Sequence, residues 1–396
     1  RSDTEYSAAK RLGRVKLQSR TLIVVPSPLL FYGFTELLKE LPEHCHILCI
    51  EADQALMVFS VAHMPEPLRR TDRLTFVRAD NAGQVHRIVT SLGARNFRRA
   101  VLLPLSGGYA LYSGVYQSLF AVADQTIRSA WQNTMTSIHM ASRWFRNLFS
   151  NLALGCVLHH NIPAVAGEKP VVLAGAGISL EESIPMMKKY RDNYYLLSVD
   201  TALSILELNG IVPDGVCILE AQMYNQLDFL GSSARQAAVF ADVSAYPPSL
   251  RLFNGPLYLF VSEFASSALF NRMRRNSVLP HVIPPLGSIG VTGLYIALRI
   301  TRGPVLFTGL DFAYRIGKTH ANGSPSHTAL LCRTERTLPP IPYGICMDRP
   351  RFQTEGKVSG NPAAVTTDLV LHSYIEPLNS VIGDDGRCFD IAGFGV

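Results

Sequence analysis

The sequence has few of the features that tie a fold to chemistry through covalent staples. Its seven cysteines are an odd number and form no CxxC pair. Cys45, Cys49 and Cys217 sit in strand-like segments, and Cys332 and Cys346 in loops. This argues against a disulfide frame or a zinc site and reads as buried or incidental thiols in a reducing compartment. No apolar run is long enough to span a bilayer: the richest stretch, Leu286 to Leu310, is broken by Arg299, Arg302 and Pro304. A P-loop GxxxxGK[ST] is missing, which disfavours an ordinary ATPase, and no repeat of solenoid period is found. Charged residues make up only 17% of the chain, with a formal excess of +6. That excess suits an anionic ligand such as a nucleotide and is too small and dispersed to suggest nucleic acid. Lys10, Arg11, Arg14, Lys16 and Arg20 read as a solvated basic face. No apolar signal core follows Arg1, so a trimmed start and a cytoplasmic location are expected.

What is present is apolar mass: 47% hydrophobic residues in 396, enough for two or three cores and against extensive disorder. The first half alternates strand-like runs (Thr21 to Val25, His46 to Glu51, Leu74 to Val77, Ala100 to Leu105) with helical patterns (Leu29 to Leu41, Ala82 to Leu92). This spacing predicts a parallel, doubly wound sheet. Glu51 closes the second strand, where such folds often hold a ribose. The first turn, Pro26-Ser27-Pro28, lacks the glycines that let a backbone approach a pyrophosphate, so residues 1–108 read as a degenerate Rossmann-like scaffold. Residues 109–165 read as a helical connector with Trp131, Trp144 and Phe145 as packing residues, and Asn161 to Pro170 as a linker.

Alternation restarts in residues 166–396. Strands are expected at Val171 to Ala174, Tyr194 to Val199, Gly215 to Leu219, Ala237 to Ala241, Leu257 to Val261 and Pro304 to Thr308, with helices such as Leu180 to Arg191 and Ser288 to Arg302 between them. The fold class is therefore α/β with two Rossmann-like domains.

Polar groups recur where these strands end. Gly175-Ala176-Gly177-Ile178-Ser179 is a glycine turn that opens a helix, a geometry that offers amides to phosphate. Ser179 reads equally well as an N-cap with Glu182 as its capping-box partner. Asp200 ends one strand and Glu220 another, where open α/β sheets place ligands, although Asp200 could instead cap the following helix. Gly287-Ser288-Ile289-Gly290-Val291-Thr292-Gly293 opens a helix with hydroxyls suited to a leaving phosphate, or simply capped by Ser288. Past the last strand lie Asp311, Tyr314, Lys318 and His320, the histidine suited to take a hydroxyl proton.

These strings together, GAGxSLEESIP, YYLLSVDTAL, NGIVPDGVCILE, GSIGVTGLYIAL, GLDFAY and GKTHA, resemble the motility accessory factor (Maf) family and its domain similar to an archaeal 6-hydroxymethylpterin pyrophosphokinase (MptE-like), from about Pro170 to Val396. The resemblance implies a sialyltransferase-like C-terminal domain. It also implies an enzyme that moves a nonulosonic acid from a CMP-activated donor to Ser or Thr of flagellin, with no required cofactor or metal. It would set Gly175, Gly177, Ser179 and Asp200 around the CMP, with Ser288 and Thr292 near its phosphate. Glu220 and Lys318 would line the same site, and Asp311, Tyr314 and His320 would approach the phosphate or the reacting sugar. Tyr314 is the expected proton donor and His320 the base, with His327 in reserve.

The chain departs from the family pattern at Ile178 for a proline, Glu220 for an Asp and Leu310 for a Gln, and it thins a glycine-rich segment at Asn361 to Asp368. Two other readings stay open. One is a pterin diphosphokinase that uses ATP and Mg²⁺ on Asp200, Glu220 and Asp311. The other is a flagellin-binding assembly factor without catalysis, which the departures motivate.

Overall fold

The computed structural model describes residues 17–154, 161–262, 268–315, 317–332, 334–337 and 351–396. The chain divides into two units, Arg1–Met140 and Ala141–Val396, and the division falls inside the helix Ser113–Leu152. Cys346 and the basic residues Lys10, Arg11, Arg14 and Lys16 lie outside the described residues. Cys45, Cys49, Cys217, Cys332 and Cys388 are free thiols, and Cys332 closes a helix, Pro325–Cys332, where a loop was expected.

In the first unit, β1 (Thr21–Pro26), β2 (His46–Glu51), β3 (Leu74–Arg78) and β4 (Arg99–Leu102) form a parallel sheet in the order β3-β2-β1-β4. Every residue of β1 is buried, because a parallel strand is covered on both faces. Successive side chains alternate between two cores: Ile23 and Val25 join Phe34, Leu37 and Cys49, while Leu22 and Val24 join Val85, Tyr116 and Ile127. The expected helix from Leu29 begins only at Phe34, since Ser27, Leu29 and Phe31 take left-handed φ of 45°, 51° and 55°. Glu51 is fully buried and accepts from the Tyr116 hydroxyl (2.6 Å) and the Asp53 amide (3.1 Å), so it serves the unit's own packing. Trp131 packs as expected, donating its indole N–H to the Phe97 carbonyl under the Arg98 guanidinium. Phe145, in the second unit, is 39% exposed.

The second unit is built on β5 (Val171–Ala174), β6 (Tyr195–Val199), β7 (Gly215–Ile218), β8 (Ala238–Asp242), β9 (Leu257–Ser262), β10 (His281–Ile283), β11 (Val305–Thr308), the hairpin β12 (Arg351–Val358) and β13 (Asn361–Asp368), and β14 (Cys388–Asp390). Eight of these form a sheet in the order β10-β9-β8-β7-β6-β5-β11-β14, with every pairing parallel. β10 and β14, absent from the sequence reading, are three-residue strands at the edges, too short to show a period. The thinned segment Asn361–Asp368 is one strand of the antiparallel hairpin. The stretch read as a linker is tied down, with the Ala166 amide donating to Ile300 (2.9 Å) and the Thr301 hydroxyl to Lys169 (2.7 Å).

Because all eight strands run the same way, every segment that follows a strand lies at one edge of the sheet. Gly175, Asp200, Glu220, Ser288 and Asp311 all follow strands of this sheet and therefore share that carboxyl edge. Two asparagines one helical turn apart hold the segments after β7 and β8. Asn147 donates to the carbonyls of Ala221 (3.0 Å) and Ser244 (2.9 Å), and Asn151 to those of Val243 (2.9 Å) and Ala245 (2.8 Å). Asn151→Ala strands two buried carbonyls and should cost about 2 kcal/mol or more, measured as a lower urea midpoint with an unchanged slope.

Candidate functional site

The chain runs outward from β5 through β10, then returns to place β11 on the other side of β5. This reversal is the position at which open α/β sheets form a crevice. Here the two turns are bonded to each other: the Gly175 amide donates to Thr308 (2.8 Å) and the Gly177 amide to Gly309 (2.9 Å). A Cβ on Gly175 would lie 2.3 Å from the Gly309 carbonyl oxygen, so the glycine is required by close approach of backbone.

Ser179 does not cap its helix with its side chain, and the expected capping box with Glu182 is not formed. Its hydroxyl donates to Asp311 Oδ1 and accepts from the Gly309 amide (2.9 Å), while its amide donates to Asp311 Oδ2 (3.0 Å). Asp311 thus caps the helix Leu180–Lys189 from across the crevice. Burial pushes its carboxyl up to about 6, against the pull of the Ser179 bonds. The sequence reading set Asp311 at the phosphate or sugar; at 3% exposure, with both oxygens committed, it is a strut between the turns.

Two of the departures noted in the sequence, Leu310 and Ile178, have local explanations. Leu310 fills the space between two glycines, its Cδ2 lying 2.6 Å from where a Gly175 Cβ would stand and 2.4 Å from a Gly290 Cβ. Ile178 is buried with Ala313, Val365 and Phe394, so it packs against the hairpin and the chain end. Phe312 holds a left-handed φ of 46°, an unfavourable conformation for an aromatic residue. Three bonds fix it: Thr367 hydroxyl to Phe312 carbonyl (2.7 Å), Tyr314 amide to Thr366 (3.0 Å) and Val396 amide to Asp311 (2.9 Å).

A group of carboxylates follows β6 and β7 at the same edge. Asp200 is 5% exposed; it accepts from the Thr201 amide (2.8 Å) and from Asn225 Nδ2 (2.9 Å). The same Asn225 amide donates to Asp228 (3.0 Å). Glu220 accepts from the Gln222 amide (2.9 Å) and adds its charge to both aspartates. Burial, then repulsion from Asp200, push Asp228 up to about 7; burial also raises Asp200. Asp228 is therefore a half-buried carboxyl that exchanges its proton near neutrality. Asn225 and Asp228 were missed because residues 222–230 show no period; their only signal is position, directly after a strand-ending acid.

The remaining expected residues divide by exposure. Ser288 caps its helix through the Gly290 amide (3.2 Å). Thr292 is 1% exposed and returns its hydroxyl to the Ser288 carbonyl (2.9 Å), which closes it to a phosphate. Lys318 forms an ion pair with Glu181 (2.8 Å), and Glu181 also accepts from the Asn322 amide (2.6 Å). The Ala321 amide donates to Ala176 (2.9 Å), which pins His320 next to the glycine turn. Burial lowers the His320 imidazole, so it is neutral at pH 7. Tyr314, expected as proton donor, is 3% exposed. Gly177, Glu220, Asp228, Ser288, Lys318 and His320 are half-buried and present themselves at the edge; Gly175, Ser179, Asp200, Thr292, Asp311 and Tyr314 lie beneath them.

Residues 142–317 match the family model described as 6-hydroxymethylpterin diphosphokinase MptE-like. The matched residues all lie within the second unit. A protein of Treponema pallidum (strain Nichols), itself uncharacterized, is 32% identical over 337 residues, covering 83% of this chain and 58% of that protein. A second from the same organism, also uncharacterized, is 24% identical over 106 residues, 27% of this chain and 50% of that one. Among solved structures, the MAf glycosyltransferase from Magnetospirillum magneticum AMB-1 superposes over 99% of this chain and 60% of its own, with a TM-score of 0.66 and 17% identity. The chain shares the fold of this structure, as the sequence resemblance implied. The chain spans about three fifths of the length of the first of these relatives and of the solved structure. No helix among the described residues is long and apolar enough to cross a membrane.

Raised carboxyls have a definite linkage sign: they bind protons more tightly folded than unfolded, so their contribution is present in acid and lost as pH rises through the folded value. Stability of the second unit should fall between about pH 4 and pH 7 as Asp311 and then Asp228 ionise. Asp228→Asn should flatten the upper part of that fall. Thermal unfolding across pH 4 to 8 reads both.

Proposed function

We propose that the chain is a glycosyltransferase that moves a nonulosonic acid from a CMP-activated donor to serine or threonine of flagellin in the cytoplasm, by inverting transfer without a required metal. The observation that carries this reading is the anchoring of His320 beside the glycine turn, at the edge where Glu220, Asp228 and Ser288 also emerge.

The sugar's bond to the CMP phosphate is already weak, so the protein must hold the phosphate and stabilise charge as that bond breaks. The start of the helix Ile289–Ile300, with Ser288 at its cap, supplies positive potential for the phosphate. Glu220 and the backbone near Gly177 are the contacts we assign to donor hydroxyls and the base. His320, neutral at pH 7, accepts the proton of the attacking hydroxyl. Lys318 acts through Glu181, keeping the loop that carries His320 against its helix. Tyr314 and Thr292 are assigned to the walls.

The MptE-like match favours a second reading, a pterin diphosphokinase in which magnesium would rest on carboxylates. The residues present do not fit a resident divalent cation. An amide N–H₂ stands between Asp200 and Asp228, and Asp311 is spent on Ser179. Among the described residues no three His, Cys, Asp or Glu are grouped to hold one.

Calorimetric titration should show CMP binding that is unchanged by chelator, and no comparable binding of ATP with Mg²⁺; the reverse pattern moves the chain to the diphosphokinase reading. His320→Ala should lower transfer to flagellin, followed by intact mass, by about 100-fold or more. Full transfer by that variant removes His320 from its role.

A further inference from the structure

The first unit presents its accessible chemistry on the edge opposite to the one where such sheets bind ligands. At its carboxyl edge Glu51 is bonded to Tyr116 and Asp53, and Gly108 lies against Ser27 so closely that a Cβ there would be 2.2 Å from the serine hydroxyl. Glu51 and Gly108 are thus engaged within the unit. At the amino edge, where the chain enters β1, β2 and β4, there is a cavity of about 420 Å³ lined by Arg20, His44, Cys45, His46, Leu92, Arg95, Asn96 and Phe97.

Its charge is not neutralised from within. Among the described residues, neither Arg20 nor Arg95 has a carboxylate within ion-pairing distance. A second cavity, at the amino edge of β5 to β7, shows the contrast: its Arg191 is spent on Asp214 at 2.9 Å and on the Val212 carbonyl at 2.7 Å. Arg20 and His44 both hold a φ of 58°, conformations that persist only where the surroundings fix them. Backbone bonds do so at Arg20, whose amide donates to Glu43 (3.4 Å) and whose carbonyl accepts from Arg98 (2.7 Å). His46 is held by Thr75 (2.8 Å), and Asp72 is the acidic group whose charge reaches it. Leu92 and Phe97 supply an apolar floor.

We propose that this cavity is a binding site for a small phosphate-bearing molecule, gripped by the guanidiniums of Arg20 and Arg95, with the His44 side chain and the second N–H of Asn96, whose Nδ2 also donates to the Leu92 carbonyl (3.3 Å), as further donors. Two free guanidiniums match phosphate geometry better than isolated ammonium groups would. The cavity falls in the size range of small-molecule sites.

Inorganic phosphate is the probe, titrated calorimetrically into the full chain at constant ionic strength. The double variant R20Q/R95Q should weaken binding by about tenfold or more, while Glu220→Gln, at the proposed donor site, should leave it within about twofold. Both arginines are exposed, so the thermal midpoint of the double variant should be unchanged. Asn96→Asp, which puts a carboxylate in the cavity, is the second variant and should also weaken binding. No saturable binding by the wild type, or equal affinity in the wild type and both variants, overturns the proposal. Loss in Glu220→Gln alone overturns it as well, by assigning the phosphate to the other unit.

Discussion

One buried carboxylate organises the second unit. Asp311 ends the segment after β11 and takes both the amide and the hydroxyl of Ser179, which opens the helix after β5. These are the strands between which the winding reverses. Without that bond the two turns would keep the backbone bonds of Gly175 to Thr308 and Gly177 to Gly309, but the helix Leu180–Lys189 would lose its cap. Burying a carboxylate is unfavourable unless it is satisfied, and the shift of Asp311 to about 6 records that burial outweighs its bonds. The glycines follow from the same constraint, because Gly175 and Gly309 approach more closely than any side chain permits. So does the left-handed Phe312, which lets the chain turn away directly after Asp311 to join the hairpin.

On this support the edge is built in two layers. The lower layer is buried and bonded; the upper layer carries groups that can meet a ligand. The division separates positioning from chemistry. Asp200 is the base on which Asn225 and Asp228 rest, and Asp228 is the member whose proton moves near neutrality. The edge carries more acid than base, since Lys318 is neutralised by Glu181. Under the proposed function, recognition of a nucleotide there would rest on helix starts, backbone amides and carboxylates that accept from hydroxyls and amines, with little help from free cations.

The fold was legible where strands are buried on both faces. β1 and β5 read as largely apolar runs, and the helix Ala82–Ser91 buries Val85 and Val89, one turn apart. The expected elements failed at short pieces: β10 and β14 have three residues each, and the helix expected from Leu29 is held off by three left-handed residues that sequence does not announce. The candidate site was legible as position, because strand ends are where the glycines and acids stand. Roles were less legible. Ser179 looks like a cap in any helix-start pattern, and only the partner 132 residues away turns it into a clamp. Thr292 carries a hydroxyl suited to phosphate, but helix geometry returns it to the carbonyl four residues back. Asp228 could not be found by type, since its proton affinity comes from neighbours brought together by the fold.

The proposed function requires nucleotide recognition at the carboxyl edge of the eight-stranded sheet. Hydrogen–deuterium exchange with and without CMP tests it most directly. New protection should be confined to residues 175–180, 200–202, 220–230, 288–292 and 318–324. Protection centred instead on the amino edge around Lys169, Arg191 and Asp214, or none at saturating CMP, would contradict it.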